Sequence, residues 1–113
     1  MEDIAGIDPG VVAEVERETS ELLSALIRID TSNPPGNETR GTTYLGAILE
    51  KENIPFVVLE SAPGRGNLVA TLPASGREEE PPLCLLSHVD VVTAEASSWT
   101  KGRGPLSGAI ADG

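Results

Sequence analysis

The sequence predicts an α/β fold, a three-layer sandwich in which helices flank a mixed sheet. Two observations carry this prediction. Helical apolar spacing fills the first half of the chain, and short apolar runs typical of strands follow it. In addition, residues 83–86 are four successive apolar residues, a pattern that indicates a strand buried on both faces. The order helix, helix, strand, strand, strand suits a sheet covered by helices.

The first helix is expected from about Pro9 to Arg28. Asp8 can cap the free backbone N–H groups at its start, and proline suits the first helical position. Apolar and neutral residues then recur at helical spacing, namely Val12, Val15, Thr19, Leu22, Leu23, Leu26 and Ile29. Pro34 and Pro35 prevent any continuation, because proline lacks an N–H donor and disfavours helix in the residue before it.

A second helix is expected to start at Asn37 or Glu38 and to end near residues 51–53. Its short apolar stripe consists of Tyr44, Leu45, Ile48 and Leu49. Two neighbouring strands are then expected at residues 56–59 and 68–72, separated by a turn around Gly64 and Gly66. The polar residues 73–82 form a loop, residues 106–110 suggest one more short strand, and Asp112 with Gly113 suggests a turn.

Composition excludes several classes of function. A chain of 113 residues has room for one ordinary domain. Its net charge of −10, from 18 acidic and 8 basic residues, argues against nucleic acid or an anionic membrane as the main partner. Cys84 is the only cysteine, so we expect it to pack in the core rather than form a disulfide or a cysteine metal cluster. No apolar run could span a bilayer, and residues 1–4 do not resemble a signal peptide, so a cytoplasmic location is expected.

His88 and Asp90 are the candidate functional residues. They are two apart in an extended chain, so their side chains project to the same side. A histidine that binds metal through one ring nitrogen usually donates its other N–H to an oxygen, which Asp90 could supply. Asp90 could instead bind metal directly, and a structural hydrogen-bonded pair with no metal is the simpler interpretation of the spacing alone.

Residues 85–92 (LLSHVDVV), with Glu95 and Trp99 after them, resemble the first metal-site segment of the M20 family of metallopeptidases. Three further stretches resemble that family in the same order: residues 26–38 (LIRIDTSNPPGNE), residues 66–70 (GNLVA), and residues 105–108 (PLSG) with Asp112 and Gly113. Thr93 and Leu106 depart from the residues usual in the family, proline and phenylalanine, but neither position supplies a ligand.

The resemblance implies a hydrolase that cleaves the amide bonds of N-acyl amino acids or small peptides. His88 would be a ligand to one of two zinc ions, although cobalt or manganese would also suit a histidine. Asp90 would be the active-site residue that orients His88. A water held between the two metals would be the nucleophile, and a glutamate would be the general base.

By the same resemblance, residues 1–113 are expected to be the N-terminal part of a metallopeptidase catalytic domain. The family's other ligands, its general base and its dimerisation domain would follow Gly113, so the full-length protein would be a homodimer. The chain alone is then expected to be inactive and to aggregate or fold only in part, because a sheet cut after its central strand exposes an edge and an apolar face. The alternative hypothesis is a non-catalytic α/β module, or a degenerate truncated relative, that acts in protein interaction.

Overall fold

A computed structural model describes residues 6–100 and 103–111 of the chain. Within them the protein is a mixed α/β structure, with two α-helices and two small sheets, so the predicted fold class is confirmed at this level. The described residues form two compact units. One comprises the residues up to Ile29 together with those from Glu95 on, and the other comprises Asp30–Ala94.

Helix α1 (Pro9–Ile27) is the main element of the first unit, and its bounds agree with the predicted helix to within one residue. The Asp8 carboxylate caps it by accepting a hydrogen bond of 2.7 Å from the N–H of Gly10. Its C-terminal end contacts residues 107 and 108. The Ser24 hydroxyl donates to the carbonyl of Gly108, and Arg28 Nε donates to the carbonyl of Ser107 at 3.2 Å.

The strand predicted at residues 106–110 is wrong, since these residues form a turn followed by irregular chain. Gly108 has a φ of +58°, a left-handed conformation outside the strand region. Its Cα lies so close to the Ser24 carbonyl that no Cβ would fit there. The segment therefore packs on the helix end rather than on a neighbouring strand. The turn predicted at Asp112 and Gly113 lies outside the described residues.

Helix α2 (Glu38–Lys51) packs on a hairpin in the second unit. The hairpin consists of β2 (Phe56–Glu60) and β3 (Gly66–Ala70), which run antiparallel with Phe56 opposite Ala70 and Glu60 opposite Gly66. Both the helix and the strand pair are confirmed, although β3 begins two residues earlier than expected. The approach is tight, because a Cβ on Gly46 would lie 2.9 Å from the ring of Phe56.

A second, parallel pair of strands lies in the same unit. Strand β1 (Ser32–Asn33) pairs with β4 (Val91–Val92), with Ser32 opposite Val91. The buried Thr31 extends this pairing: its hydroxyl donates to the carbonyl of Val89 at 2.7 Å, and its own carbonyl accepts from the N–H of Val91 at 3.3 Å. Neither strand was predicted from the sequence.

The buried strand predicted at residues 83–86 is wrong for this structure. These residues have no regular secondary structure, and Leu83, Leu85 and Leu86 are 85%, 86% and 95% exposed. Cys84 is also exposed, so its predicted core position is wrong too. A strand buried on both faces needs hydrogen-bonded neighbours and covering layers. Within residues 6–100 and 103–111 no segment pairs with residues 83–86.

Polar rather than apolar side chains are the most buried ones in the described residues. Ser24, Thr31, Glu38 and Thr42 are buried, whereas no large apolar side chain in this part of the chain is fully enclosed. Three apolar residues of α1, Val11, Val15 and Leu23, stay about half exposed. Neither helix of the described part is long and apolar enough to cross a membrane.

Candidate metal site

His88 and Asp90 lie in the second unit, just before strand β4. They do not follow a strand as expected, because the chain leading to them is irregular. Asp90 is instead held in place by the pairing of β4 with β1, which begins one residue after it. The His88 side chain is 83% exposed and that of Asp90 is 31% exposed.

The two side chains are in contact, as their spacing predicts. His88 Nδ1 lies 3.0 Å from Asp90 Oδ1 and 2.8 Å from the backbone carbonyl oxygen of Asp90. A carbonyl oxygen and an ionised carboxylate only accept hydrogen bonds, so Nδ1 must be the protonated nitrogen. In the neutral ring the lone pair is then on Nε2, which has no hydrogen-bond partner among the described residues. Metal-binding histidines commonly have this tautomer and this kind of oxygen partner.

Asn33 holds the other oxygen of the same carboxylate. Its side-chain amide donates to Asp90 Oδ2 at 2.9 Å. The amide of Asn33 and, next, the ring of His88 hold the pKa of Asp90 below its ordinary value, because each hydrogen bond favours the charged form. The carboxylate therefore stays ionised and remains an acceptor for Nδ1. The result is a chain of contacts from Asn33 through Asp90 to His88.

The sequence did not identify Asn33 as a site residue. Asn33 and Asp90 are 57 residues apart, and nothing in their local patterns indicates that they meet. The one available signal was the position of Asn33 directly before two prolines, in a stretch that resembles the M20 family. That signal indicated a rigid loop without indicating its partner.

A cleft of 460 Å³ in the second unit is lined by His88 and Asp90 together with Glu38 and Arg65. This volume is within the range of about 300–1,000 Å³ that is typical of small-ligand sites. Arg65 Nη2 lies 2.7 Å from Glu38 Oε1, and the positive charge of Arg65 also contributes to the lowered pKa of Asp90. The cleft thus has an ion pair on one part of its wall and the exposed imidazole on another.

The described residues fit part of a metal centre. They supply one imidazole with an oriented carboxylate behind it, which suits a ligand to zinc, cobalt or manganese. Catalytic zinc sites usually have three protein ligands, and within the described ranges no group of three histidine, cysteine or acidic residues is placed to hold a metal ion. These residues alone therefore do not form a complete site.

Comparisons with known proteins do not identify a family for this chain. No protein-family model, no curated protein and no solved structure matches the chain. The resemblance to the M20 family, the metal role of His88 and the active-site role of Asp90 therefore stay predictions.

Proposed function

We propose that this chain supplies His88 as a metal ligand to a cytoplasmic, metal-dependent hydrolase of the M20 type. The substrates are N-acyl amino acids or small peptides, and the bond cleaved is an amide. The proposal includes two zinc ions in the complete centre, a three-layer α/β sandwich and a homodimeric enzyme. It requires further ligands and a general base from residues other than those described.

One observation carries the proposal, namely the contact of His88 Nδ1 with Asp90. A ring hydrogen-bonded at Nδ1 and exposed at Nε2 presents its lone pair to solvent in a fixed direction. An oxygen partner at one ring nitrogen with the other nitrogen left open is the arrangement that metal-binding histidines usually have. The ring also borders a cleft large enough for a small acylated amino acid.

Each of the three residues in contact, Asn33, Asp90 and His88, has one role in this proposal. His88 holds the metal through Nε2, and Asp90 keeps the proton on Nδ1 and orients the ring. Asn33 fixes the free oxygen of Asp90, so the carboxylate cannot rotate away from His88. A bound metal pair would supply the acidity of a coordinated water and the polarisation of the scissile carbonyl.

The proposal is tested on the longest polypeptide that the gene encodes, purified without chelators. We expect bound zinc by elemental analysis and hydrolysis of at least one member of a panel of N-acyl amino acids. His88→Ala should lose activity by about a thousandfold or more, because a missing ligand removes much of the electrostatic stabilisation of the transition state. Asp90→Ala should lower metal affinity by about 10- to 100-fold, as is typical when the partner of a ligating histidine is removed.

Cys84→Ser is the matched control. Cys84 is an exposed thiol four residues before His88 and is chemically capable of binding zinc. We expect this variant to keep its metal and its activity. A long polypeptide that binds no metal and cleaves none of the panel would refute the proposal, and so would full activity in His88→Ala.

The second candidate function is a non-catalytic interaction module. The exposure of Leu83, Leu85 and Leu86 favours it, because a cluster of exposed apolar side chains often marks a site of protein interaction. The coding sequence after Gly113 discriminates between the two candidates. Gly-Arg-Gly, an aspartate a few residues on and then a Glu-Glu pair would favour the enzyme, whereas a stop codon would favour the module.

A further inference from the structure

The ion pair between Glu38 and Arg65 has an unusual environment. The Glu38 side chain is only 9% exposed, and its Oε2 is buried with no hydrogen-bond partner in the described part of the chain. Arg65 Nη2 contacts the other oxygen, Oε1, at 2.7 Å. A buried carboxylate with one such contact depends strongly on its counter-ion, because loss of that partner leaves an uncompensated buried charge. We therefore expect these two side chains to stay together.

The ion pair lies directly against Gly36. A Cβ on this residue would lie 2.8 Å from Arg65 Nε and 2.9 Å from Glu38 Oε2, so a side chain here would displace at least one of the two charged groups. Gly36 also has a φ of +80°, which glycine adopts without strain. Arg65 in the hairpin turn and Glu38 at the start of α2 therefore both lie against the backbone of Gly36.

Gly36 belongs to the loop that carries Asn33. Its N–H donates to the carbonyl of Ser32 at 2.9 Å, which closes the loop of residues 32–36 into a tight turn. The hairpin turn is fixed to the start of α2 as well, because the N–H of Thr39 donates to the carbonyl of Gly64 at 3.0 Å. A continuous set of contacts therefore leads from the ion pair, through Gly36 and its loop, to Asn33 and Asp90.

We propose that Glu38 and Arg65 are positioning residues for the His88 site. Their ion pair holds the loop of residues 32–36 so that Asn33 reaches Asp90, and Asp90 in turn keeps the proton of His88 on Nδ1. The functional meaning of this inference rests on the proposed metal role of His88. The arrangement itself requires no metal and is tested without one.

The test measures the tautomer of His88, which is the only histidine in the chain. Long-range ¹H–¹⁵N spectra of the ¹⁵N-labelled 113-residue chain then contain one set of ring signals, whose nitrogen shifts give the ratio of Nδ1–H to Nε2–H forms. The spectra are recorded on dilute, monomeric protein in mildly alkaline buffer. No metal is added.

Glu38→Gln and Arg65→Met should each lower that ratio about fivefold, the equivalent of one hydrogen bond, and Asn33→Ala should do the same. The double variant Asn33→Ala with Arg65→Met should fall no further than Asn33→Ala alone, because both changes act through the same contact. Arg77→Met is the matched control, since it removes an exposed ion pair with Glu80 elsewhere in the unit. It should leave the ratio unchanged.

Two results would overturn the inference. The first is an unchanged ratio in Glu38→Gln and Arg65→Met while Asn33→Ala lowers it, which would mean that the loop holds its place without the ion pair. The second is the loss, in Glu38→Gln, of the amide signals that report the pairing of β2 with β3. Because glutamine has the same shape as glutamate, this loss would mean that the ion pair stabilises the fold in general. Failure of zinc binding in the longer polypeptide would refute the proposed function and leave this measurement intact.

Discussion

Asp30 stabilises the turn that leads into strand β1, the strand that contains Asn33. Its carboxylate accepts a hydrogen bond of 3.0 Å from the N–H of Ser32, the first residue of β1. The Ser32 hydroxyl, and then its N–H, hold the pKa of Asp30 below the ordinary value. Ionised Asp30 therefore favours the turn that aligns β1 with β4.

A pH dependence follows from this lowered pKa. A carboxylate whose pKa is lower in the folded state adds stability above its unfolded pKa of about 3.9, and that stability is lost as the pH falls through the lowered value. Ser32→Ala removes the hydroxyl, so we expect the pKa of Asp30 to rise towards about 3.9. Carboxyl ¹³C shifts followed from about pH 6 to about pH 2 measure it. Ser32→Thr keeps a hydroxyl and should keep the lowered pKa, and equal values in both variants would contradict this explanation.

A contact between two side chains could be predicted from the sequence where the two residues are close in the chain. The contact of His88 with Asp90 follows from a spacing of two residues. The contacts of Asp90 with Asn33 and of Glu38 with Arg65 join distant parts of the chain, and each depends on how separate elements pack. Neither spacing nor composition contains that information.

Among the elements, α2 and the β2–β3 hairpin form the best-defined packed layer. Gly46 faces the ring of Phe56 so closely that an added methyl group would lie 2.9 Å from it. Gly46→Ala should therefore destabilise the layer by about 1–3 kcal/mol through overpacking, more than the gain in helix propensity of about 1 kcal/mol. Urea titration followed by far-ultraviolet circular dichroism measures the change.

The control for this prediction is a double variant, Gly46→Ala with Phe56→Leu. The smaller side chain makes room for the new methyl group, so the two changes should be less harmful together than their sum. Simple additivity would show that the ring of Phe56 does not limit the packing at Gly46.

Elements were predictable from the sequence when their own residues determine them. Pro9 and the Asp8 cap define the start of α1, and the turn around Gly64 separates two β-branched runs that pair with each other. Residues 83–86 have an equally strong apolar pattern but no local partner, and they form no strand. A strand in the middle of a sheet forms only where neighbouring strands pair with it. The apolar pattern of residues 83–86 was therefore not enough to predict a strand.

At the scale of the whole molecule, the two compact units expose much apolar surface. Large apolar side chains are half or more exposed in α1, in β2 and in residues 83–86, for example Val15, Leu59 and Leu86. Burial of apolar side chains is the dominant favourable contribution to folding. Because the described residues bury so few of them, we expect the folded structure to have low stability and low cooperativity.

We therefore expect the 113-residue chain to unfold over a broad range of temperature, to bind the dye ANS and to self-associate as its concentration rises. Leu85→Lys places a charge in the exposed segment and should reduce self-association, which light scattering measures. Leu72→Lys, at an exposed apolar residue shortly after the end of β3, is the comparison variant. A sharp, reversible thermal transition from a monomer would contradict this expectation.

The pairing of β1 with β4 also has a kinetic consequence. The hairpin closes over the few residues between Glu60 and Gly66, whereas Asn33 reaches Asp90 across 57 residues. Closing the longer loop costs about 2 kcal/mol more in chain entropy, so the parallel pair should assemble after the hairpin. The same pairing has only two residues per strand to hold it, so transient opening should release the Asp90 carboxylate from Asn33 while the hairpin stays intact.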